Sequence, residues 1–345
     1  MVRTLADPRW LPRRPVRALL THWPAALVDD IEGIHQSRVA SRRLRELVPA
    51  LAAPARAREV RALRRGLRDV TRLLGRSREL DVALATLQDI ETRTPRHAVA
   101  VEAVRAHVVR EREDAGRDVR DRVGSVSIDD LAAATLALAA RNATPAAARA
   151  CARRAASRLD RRARQLETAV VSAGLIFAPG PLHAVRIALK KFRYALETAE
   201  RLGRFRLPGT TRRLKGLQDL LGALHDLQVL GGLARDVMAQ TPSSRRPALD
   251  SLVKGIDDDI RTLHGGFVAE RDSVVALLAL ATGVRRTLVS LPPPGLAPGP
   301  AARRAPAPSA GARARTRRIA DGRIRDLSGT PRRGGRTGPR VPGRR

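Results

Sequence analysis

Between residues 16 and 291, apolar residues are distributed as in a series of α-helices separated by short breaks. The breaks carry ordinary helix-boundary residues: Thr94-Pro95 interrupts the pattern, Ser127 fits an N-cap, and Thr144-Pro145 places proline at a helix start. No segment alternates Val, Ile and Thr as a half-buried strand would. The prevailing Ala, Leu and Arg also favour helix. We therefore predict an all-α fold that follows a short extension over residues 1–15.

The composition changes after residue 291. Residues 292–345 are rich in Pro, Gly, Ala and Arg, and contain 14 Arg against two Asp. They hold too little apolar surface to form a core, so the sequence predicts a disordered basic tail. The tail accounts for about +12 of the formal net charge of +32, and the helical part therefore remains strongly basic.

The helical part repeats itself. Two pairs of segments match, one at a separation of 148 residues and the other at 147: His35–Arg45 with His183–Arg193, and Leu73–Val82 with Leu220–Val229. Two matches at nearly one separation predict two homologous halves, near residues 16–150 and 151–291, that face each other about a pseudo-two-fold axis.

The first matching pair is a basic helix. At 100° per residue, Arg38, Arg42 and Arg45 fall within about 80° of His35, while apolar residues occupy the opposite side. The second copy has the same row, formed by His183, Arg186, Lys190 and Arg193. Successive members are about 4.5–6 Å apart along the helix axis. Since a solvated stripe normally interleaves acids with its bases, these rows predict a surface that follows a chain of phosphates.

The second matching pair places a glycine before a basic residue and an acid. Arg78-Glu79 follows Leu74-Gly75, and His225-Asp226 follows Leu221-Gly222. A glycine that ends a helix, followed by acids at the start of the next helix, explains the glycine and the acids. It does not explain the basic residue. We predict that Arg78 and His225 join the basic surface and that Glu79, Asp81 and Asp226 orient neighbouring bases.

These four segments resemble the signature motifs of CHAD domains, the histidine α-helical domains, in the same order along the chain. The resemblance covers about residues 16–291. It implies two four-helix bundles related by pseudo-two-fold symmetry, with a basic channel between them. It also implies binding of inorganic polyphosphate and, as for some members, a location on polyphosphate granules.

Carried over by motif position, the resemblance assigns residues of both halves to the channel. The polyphosphate-binding residues it implies, together with the two bases of the second motif, are His35, Arg38, Arg42, Arg43, Arg45, Arg78, His183, Arg186, Lys190, Lys191, Arg193, Tyr194 and His225. Glu46 stands where the second half has Tyr194. The Arg-rich tail is not part of the family pattern.

Other polyanions remain open as partners. The sequence pI of about 11.8 also suits nucleic acid, and a duplex could be bound through its backbone, including by the tail. Binders of single strands stack bases on aromatic side chains, which make up only 2% of this chain. The low aromatic content therefore favours polyphosphate over single-stranded nucleic acid.

The sequence does not predict an enzyme, a cofactor or a metal site. It contains neither a P-loop nor a His-Glu-x-x-His motif, and Asp257-Asp258-Asp259 fits a solvated helix turn. Chelation of a metal by His35, His183 and His225 is disfavoured because their arginine neighbours would repel a cation. No signal peptide or uncharged apolar run of about 18 residues is found, and Cys151 stands alone, so we expect a cytoplasmic protein without a membrane span.

Overall fold

The computed structural model describes residues 4–53 and 56–295, and these residues form ten α-helices without a β-strand. The helices are α1 Arg13–Leu27, α2 Ile31–Leu51, α3 Ala57–Leu73, α4 Gly75–Arg93, α5 Ala98–Arg122, α6 Ile128–Ala140, α7 Pro145–Ala173, α8 Pro179–Gly203, α9 Pro208–Gln240 and α10 Arg246–Ser290. The predicted all-α fold is confirmed. The predicted tail lies outside the described residues, except for its first four. Of these, Pro292 accepts a hydrogen bond from the backbone N–H of Leu5 at 2.9 Å.

Local sequence signals set most helix starts. Ser127 caps α6 by accepting a hydrogen bond from Asp130 N at 3.2 Å, and Thr144 caps α7 from Ala147 N at the same distance. Asp30 caps α2 through Gly33 N at 2.6 Å. Gly33 also lets α1 approach closely, because a Cβ there would lie 2.6 Å from the backbone nitrogen of Ala26. This contact fixes the start of the first basic helix.

The two halves contain the same order of helical segments but join them differently. The break at Leu74 separates α3 from α4, whereas α9 runs without interruption through the matching Gly222. In the same way α5 and α6 meet at a bend of 56°, whereas their counterparts form the single helix α10. The predicted helix end is therefore wrong at Gly222. Gly75 is likewise the first residue of α4 rather than a cap beyond α3.

Two hydrophobic cores hold the described helices together, and each includes segments of both halves. The larger core is formed by α1, α2, α3, α6, α7 and α8 with the start of α9 and the end of α10. The smaller core is a four-helix arrangement of α4, α5, the end of α9 and the start of α10. Each core therefore combines equivalent segments of the two halves.

One helical stretch among the described residues, Ser243–Ser290, is long and apolar enough to cross a membrane by length and composition alone. Its best 18-residue window has a mean hydropathy of 1.4 and is 28% buried. This finding differs from the expectation of no membrane span. The expectation considered only uncharged runs, whereas this criterion allows up to two charged residues in 18. Phe267 and Leu288 of this stretch are fully buried in the larger core.

Candidate functional site

The two basic helices, α2 and α8, pack against each other and bring their rows together. Burial lowers the pKa of Arg38 to about 10, and the positive charges of Arg42 and Arg186 contribute. Burial likewise lowers the pKa of Lys190 to about 7, assisted by Arg186 and Arg42. Charges from both halves therefore lie close enough to disfavour one another's protonation. The structure brings these four predicted residues into one neighbourhood.

Arg78 of the second motif and the histidines His35, His183 and His225 lie beside these four residues. The rings of His183 and His225 have their centroids 5.0 Å apart. Burial lowers the pKa of His225 to about 4, with Arg186 adding to the effect, and burial and Arg78 lower the pKa of His35. We call these eight residues the central site: His35, Arg38, Arg42, Arg78, His183, Arg186, Lys190 and His225.

The position of Arg38 depends on α3 and α4. Its side chain is only 8% exposed and donates a hydrogen bond from Nη1 to the backbone oxygen of Thr71 at 2.8 Å. A Cβ at Gly75 would lie 3.2 Å from the same nitrogen, which is closer than ordinary contacts allow. The motif glycine of the first half therefore makes room for Arg38. At Gly222, a Cβ would have no neighbour within 4 Å.

Two of the three predicted acids accompany the central site. Glu79 draws the pKa of Arg38 upward through its charge, and burial raises the pKa of Asp226 against the opposing charges of Arg186 and Lys190. The third acid, Asp81, accepts a hydrogen bond from Arg112 Nε of α5 at 2.6 Å, so the base that it orients lies outside the eight residues of the central site.

The central site offers anion-binding donors without enough acids to neutralise them. Five of its members are Arg or Lys, against Glu79 and Asp226. The Nε atom of Arg186 is buried and has no hydrogen-bond partner among the described residues. Next to the site lies a cavity of about 940 Å³, whose lining includes three bases and four acids: His35, Arg93 and Lys190, and Asp89, Asp219, Asp226 and Asp259. The donors of the central site, rather than this cavity, can bind an anion that carries several charges.

Three predicted residues lie apart, on the α1 side of the helix pair. Arg43 and Tyr194 line a cavity of about 370 Å³, and the guanidinium of Arg43 lies 6.0 Å from the tyrosine ring centroid. Glu197 lies 3.4 Å from Arg43 Nε and accepts a hydrogen bond from Arg193 at 2.8 Å. The structure thus supplies Arg43 and Arg193 with a carboxylate of their own. We call this region the Tyr194 pocket; Arg14, Arg201 and Arg206 also line it.

The remaining two predicted residues, Arg45 and Lys191, lie near Glu46. Glu46 is buried and binds Arg162 of α7 through both carboxylate oxygens, at 2.6 and 2.9 Å. It also forms an ion pair with Arg158 at 2.7 Å. Sequence reasoning missed these α7 arginines, although Arg162 lies 148 residues after Arg14 and so occupies the equivalent position in the repeat.

The histidines do not assemble into a metal centre within residues 4–53 and 56–295. No group of three or more His, Cys, Asp or Glu side chains there is positioned to hold a metal ion. The single cysteine, Cys151, is buried in the larger core, and burial raises its pKa to about 12.

Comparison with known proteins identifies the family. The fold resembles PptA from Streptomyces chartreusis, with a TM-score of 0.52, 18% identity, and coverage of 81% of this chain and 99% of that chain. The CHAD domain from the plant Ricinus communis matches with a TM-score of 0.49, 22% identity, and coverage of 86% and 96%. No curated protein matches significantly. The family model of the CHAD domain matches residues 13–235, more than half of the chain. The chain therefore belongs to the CHAD domain family.

Proposed function

We propose that this protein binds inorganic polyphosphate at the central site and leaves it chemically unchanged. The observation that carries the proposal is the convergence of Arg38, Arg42, Arg186 and Lys190 from two repeated helices. Their mutual repulsion is costly in the free protein, and a chain of phosphates would relieve it. Arginine suits this ligand because its planar fork donates two parallel hydrogen bonds to phosphate oxygens.

The shape and chemistry of the central site favour polyphosphate over nucleic acid. Its charges form a row along each helix, which suits a linear ligand that presents only phosphates. Its eight residues include no Phe, Tyr or Trp on which a base could stack.

The test compares two double variants of the full chain that lose the same charge. Arg38→Gln/Arg186→Gln removes equivalent arginines of the central site, whereas Arg212→Gln/Arg213→Gln removes two exposed arginines of α9. We expect the first variant to bind long-chain polyphosphate at least about tenfold more weakly than the second, and with a flatter salt dependence. Circular dichroism melting checks that both variants remain folded. Equal affinities in two folded variants would refute the site.

Two further measurements separate polyphosphate binding from other functions. Duplex DNA, added at equal phosphate concentration, should not displace polyphosphate from the wild type as effectively as unlabelled polyphosphate does. Displacement with similar potency would favour a general nucleic-acid backbone binder. Release of orthophosphate from polyphosphate, lost in Arg38→Gln/Arg186→Gln, would instead indicate an enzyme.

We also propose a cytoplasmic location on polyphosphate granules, which follows from the proposed ligand. A fluorescent fusion of the full chain should concentrate on granules. The Arg38→Gln/Arg186→Gln fusion should be diffuse if the central site directs the location.

A further inference from the structure

The C-terminal part of α10 is apolar on the side that faces away from the protein. Its most apolar window of 18 residues has a mean hydropathy of 1.4, and only 28% of that window is buried. On the outer side, Val275, Leu280 and Val289 are 48, 42 and 52% exposed. A helix at the surface of a soluble protein ordinarily carries charged residues on the side opposite its buried stripe. The apolar outer side therefore indicates that something covers it.

The outer side is centred on Ala279. At 100° per residue, Ala279 lies about 160° from Leu277 and from Ala281, which are both buried in the larger core. Four other exposed residues between positions 272 and 286 lie within about 80° of Ala279, and all are small or uncharged. They are Val275, Ala276, Thr282 and Gly283. A Cβ at Gly283 would meet nothing within 4 Å. We call these five residues the α10 face; they leave room for another helix to approach closely.

Two opposite charges border the α10 face. Asp272 and Arg286 each lie seven residues from Ala279, one before it and one after it. Each is within about 20° of Ala279 around the helix and about 10 Å from it along the axis. Both side chains are exposed, and neither forms an ion pair with another described residue. The face is thus apolar at its centre, negative at one end and positive at the other.

This distribution of charge is complementary to itself. If a second copy of α10 packs antiparallel with the two Ala279 residues in contact, Asp272 lies opposite Arg286 of the partner subunit. Because the arrangement is symmetric, the same pair forms a second time at the other end. A parallel arrangement would instead bring like charges together, which disfavours it. The charges therefore select one orientation and one register.

We propose that this protein forms a symmetric dimer through the α10 face, with Ala279 on the two-fold axis. Burial of the apolar residues stabilises the dimer, and the two reciprocal ion pairs fix its register. Contact along a single helix is small for an interface, so we expect a dissociation constant of about 1–100 µM. The dimer does not depend on the ligand of the central site.

The first test measures the mass of the full chain by sedimentation velocity, at concentrations that span this dissociation constant. Sodium chloride at about 0.3 M screens the repulsion between two chains of net charge +32. Asp272→Arg and Arg286→Asp each place like charges opposite one another and should weaken the dimer about tenfold. The double variant Asp272→Arg/Arg286→Asp restores opposite charges and should associate as the wild type does. The matched control is Arg285→Asp, which makes the same change of charge about 120° away from the α10 face and should leave association unchanged.

A cysteine on the two-fold axis provides an independent test. Ala279→Cys should form a disulfide with its own copy under mild oxidation, because the two positions are adjacent in the dimer. Ala269→Cys is also exposed on α10 but lies far from its own copy, so it should remain reduced. The natural Cys151 is buried and does not compete.

Three results would overturn the proposal. The first is a monomer at every concentration. The second is a dimer that tolerates Asp272→Arg and Arg286→Asp as well as it tolerates Arg285→Asp, or that is linked by Ala269→Cys as readily as by Ala279→Cys. Another face would then hold the copies together. The third is binding to vesicles of neutral phosphatidylcholine that is lost in Ala279→Arg, since a lipid bilayer would then cover the α10 face.

Discussion

His183 and His225 come from different helices and place their ring centroids 5.0 Å apart beside Arg186. Burial and the surrounding positive charges lower the pKa of both rings, so that each is neutral in the free protein near pH 7. A bound polyanion would offset these charges and raise the pKa of both rings toward protonation. Binding of a polyanion would therefore be coupled to proton uptake by this pair.

This coupling predicts that affinity for long-chain polyphosphate rises as the pH falls from about 8 to about 6. Calorimetric titrations in buffers with different ionisation enthalpies should report net proton uptake on binding. The stability of the free protein should change in the opposite direction and decrease as the pH falls. Because the folded-state pKa of His225 is about 4, against an ordinary 6.5, the unfolded chain takes up its proton first. The contribution of His225 to stability is therefore lost as the pH falls from about 6.5 toward 4.

The double variant His183→Gln/His225→Gln isolates the histidine contribution. We expect it to take up fewer protons on binding and to show a flatter dependence of affinity on pH. The control is His22→Gln on α1, since His22 belongs neither to the central site nor to the residues that line the Tyr194 pocket. Identical proton uptake by both variants would show that the histidine pair does not respond to the ligand.

Lys190 makes a separate contribution above neutral pH. Its pKa of about 7 means that much of the lysine is uncharged at pH 8 before ligand binds, whereas an arginine there would stay charged. Replacement Lys190→Arg should therefore raise affinity for polyphosphate several-fold at about pH 8 and change it little at about pH 6. Binding isotherms at the two pH values check this. A gain of the same size at both would mean that geometry, rather than charge, limits Lys190.

Gly75 and Gly222 occupy the same motif position, but only Gly75 adjoins a side chain of the central site. Replacement Gly75→Ala should push Arg38 away from Thr71 and weaken polyphosphate binding about tenfold, as expected for a lost charge-assisted contact. Replacement Gly222→Ala meets no neighbour and should leave binding unchanged while stabilising α9 by about 0.5–1 kcal/mol. Affinities and thermal melts of both variants check this contrast. Equal losses of affinity would remove the steric role assigned to Gly75.

Local signals in the sequence were sufficient to predict helices but not their continuity. Ser127 acts as the predicted cap, and Pro145 begins a helix as predicted, because these signals depend on a few neighbouring atoms. The two motifs share Leu-Leu-Gly and differ in the residues that follow, yet one lies at a helix boundary and the other inside α9. Of these two glycines, only Gly75 accommodates an arginine from another helix, a contact that the motif does not reveal.

The candidate site was predictable as a surface but not as three separate groups. Helical phase already places Arg43 and Arg45 about 160° apart on α2, too far to face one narrow channel. The angular position on the helix does not show which residues of other helices contact each arginine. Glu197 of α8 pairs with Arg43, whereas Arg45 faces the arginines of α3. Contacts between distant segments decide these environments, and motif positions do not encode them.

Glu46 provides the last prediction, because it pairs with Arg158 and Arg162 at a position where the second half has a tyrosine. Burial alone would raise its pKa, but the hydrogen bonds and charges of Arg162 and Arg158 outweigh burial and lower it. Replacement Glu46→Gln leaves two buried guanidinium groups without a counter-charge and should cost about 3–5 kcal/mol of stability at neutral pH. Urea denaturation measures this cost. The control is Glu111→Gln, whose exposed pair with Arg76 should be worth less than about 1 kcal/mol.

The loss of stability caused by Glu46→Gln should depend on pH, and the same replacement should increase the affinity for polyphosphate. A carboxyl group with a lowered folded-state pKa stabilises the protein above its unfolded pKa and loses that contribution as the pH falls through the folded value. The stability difference between wild type and Glu46→Gln should therefore shrink in acid. Since the variant removes a negative charge that acts on Arg45 and Lys191, it should bind long-chain polyphosphate more tightly while being less stable. If the folded variant instead binds more weakly, Glu46 serves to position the arginines for the ligand, and its charge is the lesser effect.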